Sequence, residues 1–429
     1  MAHVLCKSAL RPLAVSVWGS KSNVSVLPSV SQLTTLRTLC APPLTSLRDW
    51  HAKQHPWCVS KSQRPNRAFS EAAATAAAAP DTRPKVVFLG TPEVAADVLF
   101  KLLKASQDSR STFQIAAVVT QPGKVSRSRK TGEMVSKPHP VQVLARDWLP
   151  PEVILFPEKA SDEEFLATLE ALQPDVCLTA AYGKVLPTKF LKIPRCGTVN
   201  IHPSLLPKYR GAAPVQRALQ AGDTEVGVSL LYTVREMDAG PIIAQETVAI
   251  DSGIQADELL FHLFAKGTKL FLENLEAIVS KEAQETAKEQ DPAQVTRADK
   301  IEKKEGLLKW DRSATELHNQ VRAFTPWPGT KQKFSLQPNE DSEGIEGEYS
   351  IKIMKTVVGK AGDWSGKEDR DITATQEALH IKCNDGTVLS VLRLQMPSKG
   401  PITPAAFMNG ALRNMTMHRL EDVDESEEK

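Results

Sequence analysis

The sequence predicts an α/β domain built on a mainly parallel sheet, followed by a smaller, mostly-β domain. Three observations point there. Between about residues 84 and 202, short apolar runs alternate with amphipathic stretches of helical period, the pattern of strands and covering helices. Those runs lack polar alternation, as expected of strands buried on both faces. From about Lys281 the composition turns charged and Ala/Gln-rich, and short strand-like segments with turn residues take over beyond it. A chain of 429 residues is long enough for two domains. No run of eighteen apolar residues occurs, so no membrane span is expected.

The elements follow in order. "PKVVFLGTPEVAADVLFKLLKAS" reads as a strand over Val86 to Leu89, a Gly turn and an amphipathic helix. Thr91 is its expected N-cap, Pro92 suits the first helical position, and Glu93 complements the helix dipole. "FQIAAVVTQP" and "VILFPEKA" are further strands, separated by the helix "PVQVLARDWLP". A helix capped by Ser161 leads into a strand over Val176 to Ala180, and "GTVNIHPS" is the next strand. "EVGVSLLYTVREMDAGPIIAQETVAI" supplies two more strands with a loop between them, and "ADELLFHLFAKGTKLFLENLEAIVS" one long helix. Residues 282–298 carry the composition of a linker. In 299–429 a short helix, the turn "TPWPGT" and a hairpin around Asn384-Asp385-Gly386 indicate a small barrel or sandwich. Trp327 is expected to anchor it by packing, and "EDVDESEEK" to be a solvated acidic tail.

The near-neutral total, 53 basic against 51 acidic residues, hides an asymmetry. Residues 1–70 hold nine Lys or Arg and one acid, Asp49, among many hydroxyl residues. That is the composition of an organelle transit peptide, with an Ala-rich spacer running on to about residue 80. "RAFS" at 67–70 resembles a mitochondrial processing site. The mitochondrial matrix is the expected location, with the plastid stroma or dual targeting as alternatives. The remaining body carries a net charge of about −6, so nucleic acid would have to meet a local patch rather than a global field. Cys177, Cys196 and Cys383 are isolated and read as reduced, buried thiols, and no Cys/His spacing suits zinc.

Several chemistries are disfavoured. Gly90 stands alone after the first strand, "GTPEVA" is not a G-x-G-x-x-G cradle, and neither a Walker A nor an H-E-x-x-H motif occurs. What stands out is "TVNIHPSLLPKYRGAAPVQRAL". Residues two apart on a strand share a face, so Asn200 and His202 look the same way where this strand ends. An amide donor beside an imidazole can stabilise an oxyanion, and Asp238, on a later loop, could orient the ring and manage protons. A strand-end Asn–His pair is equally a hydrogen-bonded turn, and spacing alone does not bring Asp238 to His202.

"NIHPSLLPKYRGAAPVQRAL" followed by "MDAGPII" resembles the folate-dependent formyltransferase family. "VVFLGTPEVAADVL", "VVTQPGK", "HPVQVLA", "AYGKVLP", "KWDRSATELHNQVRAFTPWPG" and "PSKGPITPAAF" are similar to its methionyl-tRNA formyltransferase branch, in order from about Pro84 to Gly410. The resemblance implies a Rossmann-like formyltransferase domain with a parallel-rich sheet at 84–281, then an OB-like barrel that binds tRNA. It implies transfer of formyl from 10-formyltetrahydrofolate to the α-amino group of initiator methionyl-tRNA, without a metal and as a monomer. Asn200, protonated His202 and Asp238 would be the catalytic trio. Ser204, Leu205, Leu206 and Pro207 would contact the folate, although the two leucines fit core packing as well.

For the RNA there are two candidate basic runs. Residues 176–222 contain no acid and seven cations: Lys184, Lys189, Lys192, Arg195, Lys208, Arg210 and Arg217. They are expected to surround the chemistry, as phosphates would require. The loop "GKVSRSRKTGEMVSK" adds Lys124, Arg127, Arg129, Lys130 and Lys137. The family often has Gly beside its key Arg there. Here Ser126 and Ser128 flank Arg127, which leaves Arg127 and Arg129 as alternatives. Solvated charged faces are the commoner meaning of such runs. Within the family, glycinamide ribonucleotide and amino-sugar formyltransferases share such a trio, and a non-catalytic RNA-binding protein is the rival from another class.

Overall fold

The computed structural model describes residues 81–127, 132–339, 346–410 and 412–420. The expected transit peptide and spacer, Arg129, Lys130 and the acidic tail lie outside the described residues.

The first domain alternates strand and helix as its apolar periodicity dictates. The strands are β1 (Lys85–Gly90), β2 (Gln114–Val119), β5 (Ile154–Leu155), β6 (Val176–Ala180), β7 (Thr198–His202), β8 (Glu225–Tyr232) and β9 (Ile242–Ala249), with a separate hairpin, β3 (Lys124–Arg127) and β4 (Met134–Lys137). The helices are α1 (Glu93–Gln107), α2 (Pro140–Trp148), α3 (Glu163–Leu172), α4 (Thr188–Leu191), α5 (Pro214–Ala221), α6 (Ala256–Ser280) and α7 (Glu282–Thr286). The main sheet runs β5-β2-β1-β6-β7-β8-β9. It is parallel from β5 to β7 and antiparallel at β7/β8 and β8/β9.

Two layers cover this sheet. On one face Val199, Ile201, Val226, Val228 and Leu230 join α1 and α6 residues in the largest core cluster. Gly267 lets α6 close on β7 there, because a Cβ would lie 2.3 Å from Ile201 Cγ2. On the other face Val87, Leu89, Ala117, Val119 and Cys177 pack with Phe165, Leu166 and Leu169 of α3 and Phe190 of α4. Burying side chains of this kind stabilises the fold by about 1.5–3 kcal/mol each. This second layer stops at β6. Beside β7 its place is taken by the turn 203–213, the loop 233–241 and residues 288–298.

Two capping expectations differ. Helix α1 is N-capped by Pro92 and α3 by Asp162, in neither case with a side-chain cap hydrogen bond. Thr91 instead donates through Oγ1 to Tyr182 O at 3.0 Å, tying the turn after β1 to the loop after β6.

The second domain follows α8 (Ala314–Phe324), whose start is fixed by a Ser313/Glu316 capping box. Its strands are β10 (Thr330–Pro338), β11 (Gly347–Gly359), β12 (Ile372–Ala374), β13 (Leu379–Lys382), β14 (Val388–Gln395), β15 (Pro401–Ile402) and β16 (Met415–Arg419), with α9 (Pro404–Asn409) before the last. The order β12-β13-β14-β11-β10-β16 brings its two edges together. Asp371 bridges to His418, and Arg419 N donates to Arg370 O at 2.9 Å, so the sheet is a nearly closed barrel. Trp310 and Phe334 anchor its core. Trp327 does not: it is 52% exposed.

Helix α8 also joins the domains. Phe324 and Ala323 enter the first domain's core cluster. His318 Nε2 donates to Ser252 O at 2.9 Å, and its Nδ1 accepts from Thr356 Oγ1 at 3.0 Å. Burial holds the His318 pKa below its usual value, which suits a neutral ring in that donor–acceptor arrangement.

Candidate active site

Asn200 and His202 project from β7 where the second covering layer has stopped. Parallel pairing sets Thr179 of β6 opposite Asn200, and Thr179 Oγ1 donates to Asn200 Oδ1 at 2.7 Å. With its oxygen engaged, the carboxamide turns Nδ2 toward Asp238 Oδ1, 3.5 Å away. His202 Nε2 lies 2.9 Å from Tyr209 O. A carbonyl only accepts, so Nε2 carries hydrogen and Nδ1 faces Asp238 Oδ1 at 3.6 Å. Both β7 side chains therefore aim at one carboxylate oxygen. The three predicted groups meet.

Asp238 arrives by a route the sequence did not suggest. Strand β8 is antiparallel to β7, and its last residue, Tyr232, pairs with Val199 at the strand's amino side. Thr233 N then donates to Thr198 O at 2.7 Å, and the loop folds back over the β7 face. Asp238 adopts φ +52°, a left-handed conformation that side-chain-bearing residues seldom take. Gly211 N donates to its Oδ2 at 2.9 Å.

The turn after β7 is held as tightly. Tyr209, at φ +62°, presents its carbonyl to His202. Its own N–H donates to Thr296 Oγ1 at 2.8 Å and its hydroxyl to Asp223 Oδ2 at 2.9 Å. Burial, with the Asp223 bond and charge adding, pushes the phenol pKa up to about 12, so it remains a donor at neutral pH. Sequence reasoning passed over Thr179, Tyr209 and Thr296. Only the pairing of β6 with β7 could have singled out Thr179.

Among the predicted folate contacts, Ser204 and Leu206 are buried. Ser204 Oγ donates to Lys208 O at 2.8 Å, and Leu206 packs with Leu231 and Ile242. Ser229 fastens the turn by donating to Ser204 O at 2.6 Å and accepting from Leu206 N at 3.0 Å. Leu205 and Pro207 retain partial exposure.

The seven cations do not form one patch, because most are already engaged. Arg195 pairs with Asp175 at 2.7 Å ahead of the amino ends of β6 and β7, away from the trio. Arg217 grips Glu305 with both terminal nitrogens, at 2.6 and 3.1 Å. Lys184 donates to the Pro157 and Glu158 carbonyls. Arg210 donates through Nε to Gln290 Oε1 at 2.9 Å and lies 3.4 Å from Glu236, its side chain only 13% exposed. It holds loops together instead of offering itself to a phosphate. Lys189, Lys192 and Lys208 are exposed.

The expected basic loop is a hairpin. Lys124 stands opposite Lys137 and Arg127 opposite Met134, all exposed, with Val125 61% and Met134 68% exposed. Like charges facing each other across a ladder destabilise it, and the apolar neighbours have little cover. Arg127 Nε donates to Gly132 O at 2.8 Å. Among the described residues no group of three or more His, Cys, Asp or Glu is placed to hold a metal ion, and no helix is long and apolar enough to cross a membrane.

Comparison with known proteins agrees with this architecture. Residues 84–275 match the family described as formyl transferase, and residues 300–412 its C-terminal domain. The chain is 33% identical over 333 residues to a methionyl-tRNA formyltransferase of Listeria monocytogenes, covering 77% of this chain and 97% of that one. It is 34% identical over 329 residues to a methionyl-tRNA formyltransferase of Thermotoga maritima, covering 76% and 96%. Among solved structures it is similar to an N-formyltransferase from Helicobacter canadensis, with 17% identity, a TM-score of 0.47, and coverage of 73% and 99%. With both halves matched in order and relatives aligned nearly end to end, the chain belongs to the formyl transferase family and is a one-carbon group transferase.

Proposed function

We propose that the chain transfers the formyl group of 10-formyltetrahydrofolate to the α-amino group of methionyl initiator tRNA, for translation initiation in an organelle. The observation that carries the chemistry is the convergence of Asn200 Nδ2 and His202 Nδ1 on Asp238 Oδ1, at 3.5 and 3.6 Å. The methionine amine attacks the formyl carbon and the carbonyl electron pair moves onto oxygen. Asn200 Nδ2–H, and His202 when Nδ1 also carries a proton, donate to that oxyanion. Asp238 takes the proton the amine loses and returns it as the carbon–nitrogen bond to the folate breaks, so that tetrahydrofolate leaves with its nitrogen protonated. Leu205 and Pro207 would line an apolar edge for the pterin, with backbone groups of the turn at its polar rim.

The choice of acceptor is supported by the named relatives and by the exposed cationic hairpin carrying Lys124 and Arg127. The organelle address is supported by the basic, hydroxylated, acid-poor composition of residues 1–70. The mitochondrial matrix is the proposed location, with the plastid as alternative. Formylation of charged initiator methionyl-tRNA with 10-formyltetrahydrofolate, run beside His202→Ala, tests the reaction. Turnover by the wild-type chain and loss of about 10²-fold or more in the variant is expected. Tight tRNA binding with no turnover in either sample would make the chain a binding protein. A reporter fused to residues 1–80 that remains in the cytosol would remove the organelle assignment.

A further inference from the structure

We propose that Gln290, in the stretch between the two domains, is a positioning residue that holds Asp238 in place for catalysis. Its Nε2 donates to the carbonyls of Asp238 and Gly240, both at 2.8 Å. Its Oε1 accepts from Arg210 Nε at 2.9 Å. One half-buried carboxamide thus joins the loop carrying Asp238 to the turn that follows His202.

The surrounding backbone keeps Gln290 there. Lys288 exchanges hydrogen bonds with Ile242 at 2.8 and 2.9 Å, adding a rung beyond the Asp238 loop. Arg210 N donates to Thr296 O at 2.9 Å, and Ala298 N to Arg210 O at 2.7 Å. Residues 288–298 therefore lie against both halves of the site, contrary to the free spacer their composition suggests.

The restraint matters because the geometry around Asp238 leaves little slack. Its backbone is held in the left-handed region at φ +52°, and Asn200 Nδ2 and His202 Nδ1, at 3.5 and 3.6 Å from its Oδ1, stand at and just beyond hydrogen-bond reach. A small shift of the loop separates the carboxylate from both, and misplacing a reacting group by about 1 Å costs on the order of 10²-fold in rate. Gln290 touches no reacting atom. It acts through Asp238.

The test compares Gln290→Ala and Gln290→Glu with wild type in the full chain. The Glu variant keeps the shape and the acceptor for Arg210 but turns the donor facing two carbonyls into an acceptor. We expect both variants to lose about tenfold or more in kcat, with KM for either substrate and Tm little changed. The deficit of Gln290→Glu relative to wild type should shrink as pH falls, because a protonated carboxyl regains one donor. Hydrogen exchange in residues 234–241 should be faster in both variants. The catalytic part rests on the proposed function, whereas the exchange comparison does not. If wild type forms no N-formylmethionyl-tRNA, the functional reading falls, and the exchange result alone decides whether Gln290 restrains Asp238. Unchanged exchange, or kcat within about twofold in an active enzyme, overturns the proposal.

Discussion

Thr179 and Asn200 face each other across neighbouring parallel strands, and the 2.7 Å bond from Thr179 Oγ1 occupies the carboxamide oxygen while Nδ2 faces the Asp238 carboxylate. Without that donor the amide oxygen loses its partner and the carboxamide is freer to swing away from Asp238. Thr179→Val keeps the shape of this buried side chain and removes the hydroxyl. Loss of one hydrogen bond worth about 1–1.5 kcal/mol corresponds to roughly a tenfold fall in kcat, with KM nearly unchanged. Steady-state kinetics of formyl transfer measure it, and an unaltered kcat would show that other contacts orient the amide.

Gly211→Ala should damage the site from the opposite side. Gly211 has φ +129°, and a Cβ there would lie 2.6 Å from Ala298 O, while its N–H is the donor to Asp238 Oδ2. The strained conformation alone costs about 1–2 kcal/mol, and the clash pushes residues 296–298 outward. We expect a lower Tm together with a fall in kcat of tenfold or more, on the order of one lost charge-assisted bond. A variant with wild-type kcat would mean that Gly211 does not hold Asp238.

The Arg217–Glu305 pair should tie domain docking to pH. The side-chain hydrogen bond to Arg217, opposed by burial and helped by a backbone bond and nearby positive charge, lowers the Glu305 pKa from its ordinary 4.5. A carboxylate whose folded pKa is depressed contributes stability that is present above its unfolded pKa and lost as pH falls through the folded one. Glu305→Gln should therefore be less stable than wild type at pH 7, by about 1 kcal/mol given partial solvent screening. The gap should close as the pH is lowered through and below about 4.5. Denaturant unfolding at several pH values reads it, and a gap independent of pH would exclude this pair as its source.

Arg127→Ala is expected to weaken tRNA affinity and leave folate binding intact, since Arg127 is exposed on the hairpin and spends its Nε–H on the Gly132 carbonyl rather than on an acidic partner among the described residues. A lost phosphate contact should reduce the slope of log K against log salt by about one. An equal slope at equal affinity would remove Arg127 from the interface.

Much of this was legible in the residues. Alternating apolar runs and helical stretches gave the parallel sheet, and "GTVNIHPS" gave two side chains on one face of a strand end. The Asn384-Asp385-Gly386 turn was a local signal with a local consequence. What escaped notice depended on partners distant in the chain. Thr91 looks like a cap but bonds Tyr182, 91 residues away. Arg195 and Arg217 look like phosphate ligands until Asp175 and Glu305 are placed beside them. Residues 282–298 look like a spacer because their polar side chains bind backbone groups, and that leaves no apolar period to read.

The segment that steadies Asp238 falls between residues 275 and 300, in neither half recognised by likeness to relatives. Exchanging barrels among such enzymes is thus a surgical question as much as a modular one. A graft cut upstream of Gln290 would sever the recipient's own active centre, whereas a cut beyond Ala298 would transplant the barrel and leave that centre whole.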